Sequence, residues 1–326
     1  MIAATLTEKA DCLCDLGQLE AAAATYEKQI SFSQSLSDFR AVAVGKGQLA
    51  MVRTLQGRYE EAVAGYTDTR TFFEQQNESA SVASAWHRLG IAYQEAGSYD
   101  AAEAAYRQAL EINTGLDDQL EQASNLGQLG ILYDIGFKKL EFTVTFFRQA
   151  ANIYVELNDL HHEGLVRGNI ARALVKLQQY EEARGEALRA IECDQPFGHA
   201  AKPWTSFGIL QDIETATGNP AAARTAWQQA RDAYLAYRQQ GGYAQGSGGK
   251  LVDEVLRLLA QQPINDVQSQ LAELTNKPEA PEFRKQLIQA MVAILNGSRD
   301  LTLADDPALH YADAAEVLFF MERLTS

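Results

Sequence analysis

Apolar positions along this chain fall on a helical period, and the helical stretches themselves recur. In WHRLGIAYQEAGSYDAAEAAYRQAL, Trp86, Leu89, Gly90 and Tyr93 stand at i, i+3, i+4 and i+7, one face of a helix. Gly97 follows and ends it, since glycine takes the left-handed conformation at low steric cost. A second stripe then runs through Tyr99, Ala102, Tyr106, Ala109 and Leu110. The same corner between two helices appears at positions 17, 57, 97, 138, 178 and 218, a spacing of 40 broken once by 41. Six copies of a helix–turn–helix unit account for residues 1–239.

Two columns show what each unit does with its second helix. Small residues stand at Ala22, Ala62, Ala102, Thr143, Ala183 and Ala223, where one helix can lie close against the other. Large ones stand at Tyr26, Tyr66, Tyr106, Phe147 and Trp227, with Ala187 as the exception. The motif W-x2-L-G-x2-Y followed by Gly-x-Tyr-x2-Ala-x3-Tyr-x2-Ala resembles the tetratricopeptide repeat, whose usual length is about 34 residues. Here the extra six residues are expected in the loop after the second helix, in SLSDFRA, QNESASV, GLDDQLE and LNDLHHE. Asp38, Glu78, Asp118 and Asp159 take equivalent places there and are expected to cap the next helix.

The longer repeat resembles the arrays of kinesin light chains and of bacterial regulators and signalling ATPases. Segments such as PFGHAAKPW and DDPALHYADAAEVLFFMERL are similar to the C-terminal ends of bacterial STAND-type NTPases. The resemblance implies an all-α, right-handed superhelix of six repeats that binds a protein or peptide in its concave groove, as the sensor or scaffold part of a signalling protein. A free-standing adaptor or self-assembling scaffold is the rival reading, and an enzyme with a groove active site a further one. No cap precedes the first repeat, which suits a fragment of a longer chain.

Beyond residue 239 the pattern changes. The segment 240–250 is glycine-rich and reads as a flexible loop. Helical candidates follow at 251–261, 264–275, 282–296 and 310–324, separated by Pro263, Pro278, Pro281 and Pro307. Residues 251–326 are expected to cap the array with a polar outer face.

Composition narrows the function classes. There are seven prolines, the first at Pro196, which leaves the preceding stretch free to be helical throughout. A net charge of −15 argues against nucleic-acid binding, which needs a clustered basic surface. No run reaches the roughly 20 apolar residues of a membrane span. Three cysteines make no disulfide framework, and the charged N-terminus lacks a signal peptide's apolar run, so a cytoplasmic location is expected. No cofactor, metal site or catalytic residue is expected. Gly249-Lys250 is followed by Leu251 rather than the hydroxyl residue a phosphate loop needs. His161 and His162 lack a second histidine four residues on, and Cys12 and Cys14 point different ways on a helix.

Candidate binding residues come from the first helices, which line the groove in similar arrays. Counting back from each corner gives Glu8, Gln48, Arg88, Gln128, Asn169 and Ile209, four of them consecutive polar residues suited to hydrogen-bonding a peptide backbone. A plain solvated helix face fits the same column. The preceding positions are Thr7, Gly47, His87, Gly127, Gly168 and Gly208. Helix-interior glycine costs about 1 kcal/mol against alanine, so either close helix packing, the favoured reading, or ligand approach calls for space there. His87 and Arg88 mark the centre, and Arg172 adds positive charge further along. In the fourth repeat an inserted residue moves Phe137, Phe142 and Phe146 off the stripe, where they form an interface patch or fill the gap.

Overall fold

The computed structural model describes residues 2–275, 282–306 and 309–324. Among these are sixteen α-helices, two short 3-10 segments and no strand. Six helix pairs make the repeats: α1 (Ile2–Asp15) with α2 (Leu19–Ser35), α3 (Phe39–Leu55) with α4 (Tyr59–Gln75), α5 (Ser79–Glu95) with α6 (Tyr99–Gly115), α7 (Gln119–Ile135) with α8 (Leu140–Glu156), α9 (Leu160–Lys176) with α10 (Tyr180–Asp194), and α11 (Trp204–Ala216) with α12 (Pro220–Gln239). Four helices follow: α13 (Gly246–Leu259), α14 (Ile264–Thr275), α15 (Glu282–Leu295) and α16 (Tyr311–Arg323). The chain divides into two compact bodies, residues 1–166 and 167–326, and the division falls within α9.

The 40-residue period has a simple origin. Helices α2 to α9 are each 17 residues long, and three-residue turns join them except at 136–139. The six residues beyond the usual repeat therefore lengthen the helices. They do not form the inter-repeat loop that the sequence suggested. The first turn of every repeat, and the second turn of the first four, carries a left-handed residue. The first series is Gly17, Gly57, Gly97, Lys138, Gln178 and Gly218, and the second is Ser37, Asn77, Asp117 and Asn158. Their backbone bonds match: Gly97 N–H to the Gln94 carbonyl with Ser98 N–H to Tyr93, and Asn77 N–H to Glu74 with Glu78 N–H to Phe73. Two orphan carbonyls are thus satisfied at each helix end.

Three of the four expected caps form. The carboxylates of Asp38, Asp118 and Asp159 accept the N–H groups of Ala41, Glu121 and His162 at 3.0, 3.1 and 3.1 Å. Glu78 does not cap. Its longer side chain reaches Arg40 of the preceding repeat (2.9 Å) and accepts from Ser81.

In the first body each helix from α1 to α7 packs on the next, and α3 also touches α5, its counterpart one repeat on. Ala22, Ala62, Ala102 and Thr143 are wholly buried, and Tyr26, Tyr66, Tyr106 and Phe147 lie in the core beside them. Each large side chain contributes about 1.5–3 kcal/mol by its burial. The ring needs a socket, and the motif glycine supplies it. A Cβ on Gly90 would stand 2.5 Å from the Tyr106 ring, and one on Gly130 would stand 2.7 Å from Phe147.

In the second body α11 packs on α10 and α12, and α16 lies against α12, α13 and α15. Val252, Val255, Leu271, Leu287, Met291 and Phe320 form the core of this end. The glycine-rich segment is helical from Gly246 onward, against its reading as a loop through residue 250. Gly248 and Gly249 are buried beside α16, where a Cβ would collide with the carboxylates of Asp313 and Glu316. Pro278, Pro281 and Pro307, expected as helix separators, lie outside the described residues.

Candidate functional site

The first helices of the second and third repeats, with α4 between them, enclose a concavity of about 270 Å³. Helix α3 contributes Gly47 and Gln48, α4 contributes Tyr66 and Thr69, and α5 contributes Ser84 and Arg88. The polar column read from the sequence thus enters a real hollow at two of its members. Arg88 is exposed and Gln48 half-buried, and among the described residues neither side chain makes a hydrogen bond or ion pair. Burial pushes the Tyr66 phenol up, and Arg88 lies close enough to oppose that shift. Arg88 therefore brings to the hollow a guanidinium whose five donors no described protein group uses.

The glycine column splits. A Cβ on Gly47 would make only ordinary contact with Thr69 at 3.4 Å, and one on Gly127 would meet nothing within 4 Å. Packing does not require glycine at either position, contrary to the favoured expectation. In the second body Gly168 is also loose, with Ile209 at 3.9 Å, whereas Gly208 is tight against Tyr311 at 3.0 Å. Ile209, the last member of the polar column, is buried. Tyr311 of α16 therefore occupies the space beside Gly208 on α11.

The remaining candidates fare unevenly. His87 is half-buried, with Nδ1 3.0 Å from Asn125 Oδ1 and its ring edge-on to Tyr106 at 5.8 Å. Burial holds its pKa below the ordinary histidine value, against the Asn125 bond. It joins neighbouring repeats and stands outside the lining of the hollow. Gln128 is half-buried on α7, also outside that lining. In the second body Asn169 accepts from Arg172 at 3.3 Å, so these two side chains are engaged with each other.

The phenylalanines mostly fill the gap left by the inserted residue. Phe137, Phe142 and Phe146 surround Tyr133 with ring centroids 5.0, 5.4 and 5.2 Å away. Phe146 is buried and Phe137 partly so, while Phe142 is 51% exposed. The four-residue turn here depends on Gly136, whose Cβ would stand 2.8 Å from the Leu132 carbonyl oxygen. Two members of the expected patch are therefore internal packing.

Among the described residues, no group of three or more His, Cys, Asp or Glu could hold a metal ion. No helix there is long and apolar enough to cross a membrane. The tetratricopeptide repeat family model matches residues 38–115 and 81–154, the stretch that contains the hollow. Residues 38–154 carry tetratricopeptide repeats. No curated protein matches the chain's sequence.

Solved structures share the fold at low identity. BtubC (BKLC) from P. vanneervenii is 16% identical with a TM-score of 0.61, over 70% of this chain and 94% of that one. The apo form of RapI is 14% identical with a TM-score of 0.59, over 99% of both chains. A STAND protein with a tetratricopeptide repeat sensor, PH0952 from Pyrococcus horikoshii, is 14% identical with a TM-score of 0.57. That match takes in 99% of this chain and 47% of the other, so this chain spans about half of PH0952. These neighbours make the chain an all-α tetratricopeptide solenoid.

Proposed function

We propose that this chain is a non-catalytic binding module that holds an extended peptide or protein segment in the groove of its first body. One observation carries the reading: Arg88 and Gln48 stand unengaged over a hollow whose glycine, Gly47, leaves room that packing does not need. A peptide backbone presents carbonyl oxygens along its length, and Arg88 and Gln48 can donate to them. Gln128 and Gly127, on the corresponding face of α7, extend the same surface. A carboxylate at the peptide's end or in its side chains would add a charge-assisted bond to Arg88.

The lining of the hollow includes no carboxylate, imidazole or thiol, so it offers no general base or activated nucleophile. This favours binding over catalysis. The fold shared with a STAND repeat sensor supports a sensor role within a signalling protein; the bacterial, cytoplasmic setting rests on the sequence resemblance alone. The exposed ring of Phe142 is too small a surface to support self-assembly as the main activity.

Selection from a displayed library of random linear peptides tests the reading. The chain should enrich a peptide family that the double variant Gln48→Ala, Arg88→Ala fails to enrich. Equal enrichment by both would overturn it.

A further inference from the structure

A second hollow lies wholly in the second body and was not foreshadowed by the repeat pattern. Its volume is about 690 Å³, and it opens where the first turns of α13 and α16 meet the start of α11. Trp204, Tyr234, Gln245, Gly248, Tyr311 and Asp313 are among its lining residues. Asp313 is 8% exposed, and among the described residues its carboxylate makes no hydrogen bond or ion pair. A buried charge without a partner is costly, so this position calls for a counter-charge.

No surrounding group of the described residues pairs with it directly. Arg238, the buried guanidinium of this region, is committed to Glu316, to Asp253 and to the Gly242 carbonyl. His310, whose Nδ1 accepts the Ala312 N–H as the cap of α16, makes no ion pair with Asp313 and offsets its burial only in part. The first turns of α13 and α16 favour an ionised carboxylate but bring no mobile cation. Gly248 keeps the carboxylate in place, because a Cβ there would lie 1.9 Å from Asp313 Oδ1.

We propose that this pocket binds a primary ammonium group, with Asp313 as its counter-ion. The Gln245 amide adds an acceptor, and the rings of Tyr311 and Trp204 offer the electron-rich walls that cations favour. Among the described residues no lysine or arginine lines the pocket, and Asp313 repels anions, so a phosphate or carboxylate ligand is disfavoured. A lysine side chain and the free N-terminus of a peptide present the same chemistry. The site is separate from the groove of the first body and does not depend on its function.

Calorimetric titration of the full chain with three probes tests the proposal: Nα-acetyl-lysine amide, triglycine amide, and the neutral Nα,Nε-diacetyl-lysine amide. Saturable binding of either amine, with the neutral analogue at least tenfold weaker, is expected. Preference between the two amines tells which source the pocket takes. Asp313→Asn, nearly identical in shape, should weaken amine binding at least tenfold. The proposal is overturned if neither amine binds, if the neutral analogue binds equally well, or if a folded Asp313→Asn chain binds amine unchanged. The neutral-analogue comparison uses only the wild-type chain, so the test stands even if the variant fails to fold.

Discussion

The two bodies use one repeat in opposite ways. In the first, polar residues of the groove column point into open space, and the glycines beside them at Gly47 and Gly127 have room to spare. In the second, the equivalent Ile209 is buried and Gly208 presses on Tyr311 of α16. A buried charged pair also lies there: Glu316 is wholly buried, with Arg238 Nε 2.9 Å from Oε1 and the Tyr234 hydroxyl donating to the same oxygen. A groove face becomes a binding surface only where the chain does not cover it with its own helix. The repeat motif sets the packing layer, and what lies over the first helices decides the rest.

The largest effect should separate a buried arginine from an exposed one. Arg238→Met removes one partner of a buried pair and leaves Glu316 uncompensated, at a cost of about 3–5 kcal/mol. Arg88→Met, at an exposed and unengaged position, should shift stability by no more than about 0.5 kcal/mol. Urea unfolding of the two variants measures both. Comparable losses would erase the distinction between the bodies.

A smaller effect should separate the two kinds of glycine. Gly90→Ala pushes a methyl group into the Tyr106 ring and should cost about 1–3 kcal/mol, as overpacking does. Gly127→Ala meets nothing, and replacing a helix-interior glycine should stabilise by about 0.5–1 kcal/mol. Destabilisation by Gly127→Ala would show that its helix needs the gap, and the groove reading would lose its support there.

The subtlest difference is in pH dependence. Burial raises the Asp313 carboxyl above its ordinary value, only partly opposed by His310. The folded state then holds a proton that the unfolded chain releases, so stability falls as pH rises from the ordinary carboxylate range through the raised value. In the first body Glu78 is held low by its bond to Arg40, so its contribution is present above the ordinary value and lost as pH falls. The thermal midpoint of Asp313→Asn relative to wild type should therefore climb with pH, with no gain in acid. A constant offset across the titration would contradict the buried-carboxylate account.

Much of the fold was legible because it rests on rules local to the chain. Period, corner and small–large alternation locate all six repeats, and even Lys138 and Gln178 take the left-handed turn that glycine takes elsewhere. The second turn series was harder to see. Ser37, Asn77, Asp117 and Asn158 carry no shared residue type, so the extra length was assigned to loops when it belongs to the helices. The candidate site was legible only in part. Spacing puts Gln48, Arg88 and Ile209 in one column, but it is blind to the burial of the last of them and to α16, far along the chain, whose Tyr311 fills the space beside Gly208. The glycines of α13 mislead for a related reason. They look like a flexible linker locally, yet two buried carboxylates of α16 require them.

The account's central claim is that the groove of the first body binds through side chains that the fold leaves unengaged. Calorimetric titration of a library-selected peptide into wild type and into the Gln48→Ala, Arg88→Ala chain tests it most directly, with thermal unfolding of both chains alongside. At least a tenfold loss of affinity at an unchanged midpoint is the predicted result. Equal affinity in two equally stable chains would contradict it.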